Sequence, residues 1–316
     1  MIPTLPSLLA RLRFRQLSVL IALEECGGLH KAAERLSMTQ PGLSRALHEI
    51  ESTFGVQLFV RSKSGVQPTE LGRCLVQYAR VFEADLGHLR EHMNGVLQGC
   101  GGRVAVGAIT GALHGLLVDS ISQLRRSQPS VSVEVREGIS LDLLGWIAEG
   151  RLDLAVCRTS VLSNTDQFDY EPLMEEIPAA AVGPGHPLAK AKRVTLAELA
   201  KYRWIVYPGN MPLRKLLEQE FRNAGLDLPS YPLETGSSLT TMLMLKEDDQ
   251  LVALMASPTM DFCVEHGIAR RLPIRFKTRH EAFGIATRRG ARLSPAAKLL
   301  VDCLREAAER RRHAQP

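Results

Sequence analysis

Over roughly the first hundred positions, apolar residues recur at three- and four-residue steps. Beyond them they gather into short runs set off by polar breaks. The first pattern predicts helices and the second predicts strands alternating with helices. Leu17, Leu20, Ile21 and Leu23 predict a helix over residues 12–25. Ala32, Ala33 and Leu36 predict a short second helix. Leu43, Leu47, Ile50 and Phe54 predict a third, which begins at Gln40. Thr39 is a good N-cap for the third, and Pro41 falls in its first turn, where a missing N–H costs little. Residues 59–61 and 66–68 read as the strands of a hairpin with its turn at 62–65. From Thr69 a long helix runs to about Gln98. Its row Leu71, Leu75, Tyr78, Phe82, Leu86, Leu89, Met93 and Val96 is a heptad-like seam about 45 Å long. One small domain cannot bury so long a seam, which predicts a partner helix from a second subunit.

Residues 99–102, Gly-Cys-Gly-Gly, read as a joint. Past it, strands are expected at 104–107, 131–135, 152–156, 179–182, 204–207 and 251–254. Helices are expected near 112–127, 141–149, 213–224, 237–246 and 294–311. This alternation predicts parallel sheets covered by helices, in two lobes joined by crossovers near 160–170 and 270–280.

The outer face of the third helix changes the picture. It carries Gln40, Ser44, Arg45 and His48 near the helix N-terminus. Glutamine and arginine make bidentate contacts with adenine and guanine edges, and a helix N-terminus is the end that enters the major groove. Gln40, Ser44 and Arg45 are therefore assigned to bases, and Thr39, Arg61, Lys63 and Thr69 to phosphates. The chain's net charge of +5 fits a polyanionic partner, and residues 1–73 hold 9 Lys and Arg against 6 Asp and Glu. A second basic run, Arg310-Arg311-Arg312, reads as a helix end complementing its dipole.

These residues carry a family resemblance. Phe14-Arg-Gln-Leu, Ala32-Ala33-Glu-Arg-Leu36, Thr39-Gln40-Pro41-Gly-Leu43-Ser44-Arg45, Phe54-Gly55, Leu58-Phe59-Val-Arg61 and Thr69-Glu70-Leu-Gly72 together resemble the N-terminal domain of LysR-type transcriptional regulators. The resemblance implies an α/β multidomain protein. Its parts would be a winged helix-turn-helix over 1–68, a linker helix over 69–98, a hinge at 99–102 and a two-lobed α/β effector domain over 103–316, similar to a periplasmic binding protein. Lobe 1 would take 103–165 and 278–316, and lobe 2 would take 166–277. It further implies a dimer of dimers on double-stranded DNA with spaced palindromic half-sites. RNA polymerase would be a further partner, and a small-molecule effector would control the protein, with no cofactor, catalytic residue or metal.

In open α/β sheets ligands sit beyond the carboxyl ends of strands. That rule selects Thr110, Ile139, Ser140 and Arg158 in one lobe, and Pro212, Leu213, Ser237 and Ser238 in the other. Hydroxyls and free N–H groups at helix starts suit an anionic or polyhydroxylated ligand, and Arg158 at a cleft mouth would favour a carboxylate.

The six cysteines show no CxxC pair or metal spacing, which favours reduced thiols and a cytoplasmic location. Neither a secretory signal nor an apolar run of about 18 residues is expected. Two other readings stand beside the main one. His88-Leu-Arg-Glu91-His92 spells the inverted zinc-protease pattern, although Leu86, Leu89 and Met93 interleave with it and no third ligand is evident. An architectural DNA binder without a ligand would leave two α/β lobes unexplained.

Overall fold

A computed structural model of the chain describes residues 3–62, 65–98, 102–163, 165–175, 177–229, 231–278 and 282–314, with the side chains of 91, 92, 94–96, 98 and 314 outside the description. It divides into two compact units, residues 1–99 with 145–151, and residues 100–144 with 152–316.

The first unit holds helices α1 (Leu5–Arg11), α2 (Phe14–Cys26), α3 (Leu29–Arg35) and α4 (Gln40–Phe54). A hairpin of β1 (Phe59–Ser62) and β2 (Gly65–Pro68) follows, and then α5 (Glu70–Gln98). Its core draws Leu20 and Leu23 from α2, Ala32 from α3, Leu43 and Ile50 from α4, and Leu58 from the approach to the hairpin. The helix expected over 12–25 is α2, which starts two residues later because the backbone is extended at Leu12 and Arg13, and α1 before it is a further helix that the apolar spacing does not predict. Arg80 on α5 donates to Glu24 at 2.8 Å and Glu25 at 2.7 Å, and Arg35 on α3 also bonds Glu25. Three helices are thereby tied at the end of α2. Burial works against the charge on Glu25, but the two guanidinium partners hold its carboxyl below the usual range.

The hairpin is antiparallel, with Phe59 opposite Pro68 and Ser62 opposite Gly65. Gly65 has φ +118°, and a side chain there would run into the carbonyl of Gly27. That carbonyl accepts the Val66 N–H at 2.8 Å, so the hairpin is docked on the end of α2. Only glycine allows both the turn and the close approach.

The second unit has two lobes. One sheet contains β3 (Gly102–Ala108), β4 (Val131–Glu137), β5 (Leu154–Cys157), β6 (Phe168–Glu175) and β12 (Ala282–Arg288), in the order β4-β3-β5-β12-β6. The other contains β7 (Pro178–Val182), β8 (Arg203–Val206), β9 (Leu233–Glu234), β10 (Leu251–Ala256) and β11 (Arg270–Arg271), in the order β11-β7-β10-β8-β9. The helices are α6 (Thr110–Ala112), α7 (Val118–Ser127), α8 (Ser140–Ala148, divided between the units at residue 145), α9 (Leu196–Leu199), α10 (Pro212–Asn223), α11 (Ser238–Glu247), α12 (Ser257–Glu265) and α13 (Pro295–Ala314).

Three expectations are corrected. Both sheets are mixed rather than parallel: β12 runs antiparallel to β5 and β6, and β7 antiparallel to β10 and β11. A strand that returns from the other lobe enters from the far end and so must run backwards. Next, β6 belongs to the first sheet, so the chain leaves lobe 1 beyond residue 175 and not near 165. Finally, the helix expected over 112–127 is interrupted. At His114 the backbone is extended and at Gly115 φ is +72°. The Arg311 guanidinium from α13 fills the place a side chain at 115 would take.

The basic run at the chain's end is the last turns of α13, not a loose tail. Arg312 donates to the Leu173 carbonyl at 2.7 Å and Arg310 to Gln123 at 3.0 Å. Among the cysteines, Cys157, Cys263 and Cys303 are buried, and burial pushes the Cys157 thiol up to about 12. Cys74, in contrast, is exposed on α5, and Cys100 lies outside the described residues.

Candidate nucleic-acid interface and ligand cleft

Helix α4 starts where the sequence places it. Thr39 Oγ1 accepts the Gly42 N–H at 3.2 Å, and Leu43, Leu47 and Ile50 turn into the core. That burial turns Gln40 and Arg45 outward, both exposed, with Ser44 half-buried beside them.

The hairpin is locked to this helix at two points. Glu51 near the end of α4 accepts the N–H groups of Leu58 and Phe59 at 2.8 and 3.1 Å. Arg61 on β1 donates to Ser44 Oγ at 2.8 Å. The sequence reading assigned Arg61 and Ser44 to different tasks, and the structure joins them. Their 17-residue separation spans a turn whose geometry no local pattern reveals.

Thr69 is engaged inside the protein. Its hydroxyl faces the carbonyls of Gln57 and Leu58 at 3.1 and 3.2 Å and accepts the Gly72 N–H at 3.0 Å, which caps α5. This is the hydroxyl that the sequence assigns to a phosphate. Lys63 lies outside the described residues.

In lobe 1, β4, β3 and β5 are adjacent and parallel, so the loops after them share one edge. Thr110 donates to Glu137, and Ser140 Oγ accepts the Arg158 N–H at 3.1 Å. Ile139 is half-buried between them in sequence, and its carbonyl accepts the Leu143 N–H to open α8. Arg158 is not at a mouth. It is 4% exposed, and its guanidinium carbon is 5.8 Å from the Phe283 ring centre. A sequence shows that a charge follows a strand but not that an aromatic face from β12 will cover it.

In lobe 2, Pro212 and Leu213 open α10, and Ser237 caps α11 by accepting the Thr240 N–H at 3.2 Å, with Ser238 half-buried next to it. The two loops adjoin, since Thr235 N–H donates to Val206 at 2.9 Å. The Leu213 side chain is buried in the lobe's core, which leaves its backbone as the part available to a ligand. The lobes touch where α12 packs against α6 and the turn after it. There the His114 and Phe262 rings meet edge to face at 5.3 Å. Thr110 therefore opens the element that meets the other lobe.

Among the described residues there is no cluster of metal-binding side chains, and the side chains of Glu91 and His92 lie outside them. No helix among them is long and apolar enough to cross a membrane.

Comparison with known proteins agrees with this arrangement. Residues 14–73 match the bacterial regulatory helix-turn-helix model of the lysR family, and residues 98–309 match the LysR substrate binding domain. The HTH-type transcriptional regulator GbpR of Azospirillum brasilense is 31% identical over 95% of this chain and 88% of its own. The crystal structure of full-length CbnR complexed with its target DNA superposes with a TM-score of 0.64 at 17% identity, over 94% of this chain and all of that one. The effector binding domain of QuiR in complex with shikimate gives 0.55 at 18% identity, over 66% of this chain and 98% of its own.

Proposed function

The chain belongs to the LysR family of transcriptional regulators, and from that premise we propose that it reads a duplex with spaced half-sites through the start of α4. The observation that carries this is the grouping of exposed Gln40 and Arg45 around a Ser44 already bonded to Arg61. In this reading Gln40, Ser44 and Arg45 face base edges. Thr39, Arg61, Lys63 and Thr69 face phosphates, and the charge of the hairpin steers the approach.

The protein works in the cytoplasm as a dimer of dimers, pairing through the apolar seam of α5, and contacts RNA polymerase at its promoter. It has no catalytic activity of its own. Its effector is a small hydroxylated or carboxylated metabolite held between the loops carrying Thr110, Ile139, Ser140 and Arg158 and those carrying Pro212, Leu213, Ser237 and Ser238. The Thr110–Glu137 pair supports a ligand that donates hydroxyls, since Glu137 is an exposed acceptor at that edge. Binding alters the packing of the lobes through its differential affinity for two arrangements, and so alters the spacing of the two α4 helices on DNA.

The test is a salt-titrated anisotropy measurement with the DNA flanking the gene against scrambled duplex. Much tighter binding to the flanking DNA is expected, with a footprint over two half-sites. Equal, salt-sensitive binding to both overturns site-specific recognition in favour of an architectural role.

A further inference from the structure

The apolar seam of α5 differs in kind along its length. Over the first half, Leu75, Tyr78 and Phe82 floor a groove of about 450 Å³ whose outer wall is α1, through Leu5 and Leu9. The groove's floor is itself open, with Leu71, Tyr78 and Phe82 47–60% exposed; over the second half none of the described residues lines this groove, and Leu86, Leu89, Met93 and Leu97 stand 42–82% exposed as a ridge. Leu5 and Leu9 are themselves 68% and 75% exposed, although their helix borders the groove. Helix α1 precedes the residues matched by the family's helix-turn-helix model, which begin at 14.

We propose that α1 is an arm that grips a second copy of this chain. The ridge of one α5 lies in the groove between α1 and the first half of the other α5, and the same contact is made in return. A groove at one end of a helix and a ridge at the other complement each other when two such helices run antiparallel, the isologous arrangement of a twofold dimer. Setting Phe82 opposite Leu86 brings Leu75 opposite Met93 and Leu71 opposite Leu97. One register therefore seats Leu86, Met93 and Leu97 on residues that line the groove, with Leu89 beside them opposite Ala79.

The occupant has to be long. Groove floor and ridge are one continuous row on a 29-residue helix, about 43 Å from end to end. A small apolar molecule would fill the groove and leave the ridge in water. The inference rests on α5 as the pairing helix and adds α1 to that contact.

The experiment uses the full chain and two readouts: sedimentation, and the rate at which iodoacetamide alkylates Cys74, located by peptide mass mapping. Cys74 is exposed in the single chain and lines the groove, so a seated partner shields it. Three proteins are compared: the unaltered chain, a Leu5→Ser/Leu9→Ser arm variant and a Leu89→Glu/Met93→Glu ridge variant. The arm variant touches exposed leucines, and circular dichroism confirms its fold. It is expected to weaken association about tenfold to a hundredfold and to speed Cys74 alkylation to match. The conservative Leu9→Met is expected to behave as the unaltered chain.

If the ridge variant frees Cys74 and the arm variant does not, the arm is overturned while pairing through α5 stands. If neither frees it, both readings fall. Shielding that persists in a ridge variant sedimenting as a smaller species means a different occupant, and overturns the inference too.

Discussion

The bond between Arg61 and Ser44 makes one group of two residues that stand on different elements. Their effects on DNA affinity should therefore not add. A double-mutant cycle of Ser44→Ala and Arg61→Ala is expected to show a coupling of about 0.5–3 kcal/mol by fluorescence anisotropy. Zero coupling would mean that the pair interacts equally in the free and the DNA-bound protein and that each residue meets DNA independently. Arg45 stands outside this pair, and Arg45→Ala should cost about 1–3 kcal/mol on the specific site and relax a single base position. A third residue-scale prediction concerns His186 in lobe 2. It is 3% exposed, its Nδ1 accepts the Leu188 N–H at 3.0 Å, and its ring lies 4.5 Å from that of Tyr202. Burial lowers its proton affinity, with Asp249 pulling weakly the other way. The unfolded chain takes this proton near pH 6.5, the folded protein only at lower pH. Stability from the neutral ring is thus complete above about pH 6.5 and is lost as pH falls below it. His186→Asn keeps an acceptor for Leu188. It should lose less melting temperature than the unaltered protein between about pH 7.5 and about pH 5.5, whereas equal losses would assign the acid sensitivity elsewhere.

Among elements, the hairpin depends on a carboxylate from the helix it flanks. Glu51 takes two N–H groups at the start of β1. Glu51→Ala should cost about 1–3 kcal/mol of unfolding free energy and speed hydrogen exchange at Leu58 and Phe59. Unchanged exchange there would show that the dock of Val66 on Gly27 suffices. The elements legible in the sequence are those whose apolar period and terminal signals agree. Helix α4 has Thr39, Pro41 and a row of buried leucines, and its start was read to the residue. Helix α1 was missed because its seven residues show leucines that are not buried, so no period separates a core face from a solvent face. Strand β6 was missed because Asp169, Glu171 and Pro172 interrupt any alternation, and opposite Pro172 the ladder itself shifts register. The break at His114 and Gly115 depends on Arg311, nearly two hundred positions away, and local pattern carries no trace of it. The ligand loops were found by a rule about strand ends, which fixes position but not burial; hence Arg158 was expected at a surface and is covered by Phe283.

At the scale of the molecule, each lobe of the second unit is closed by chain that arrives from elsewhere. Glu220 on α10, 8% exposed, accepts the N–H groups of Lys277 and Thr278 at 2.9 and 2.5 Å, and so holds the segment that returns to lobe 1. Glu220→Ala leaves those two donors without their acceptor and should cost about 1–3 kcal/mol by urea denaturation. A loss confined to α10, with no change in exchange at β12, would show that the return segment holds by itself. The strand it leads to, β12, sits between β5 and β6, in the interior of its sheet. Lobe 1 is therefore incomplete until residues 282–288 have been made, while the hydrophobic cluster under the helix-turn-helix draws, among the described residues, on those between Leu12 and Ala79. On the ribosome, where domains fold in order of emergence, the part that reads DNA is finished while the part that senses a metabolite still lacks a central strand. A message broken anywhere between the two would yield a finished helix-turn-helix unit beside a lobe 1 sheet that lacks its interior strand.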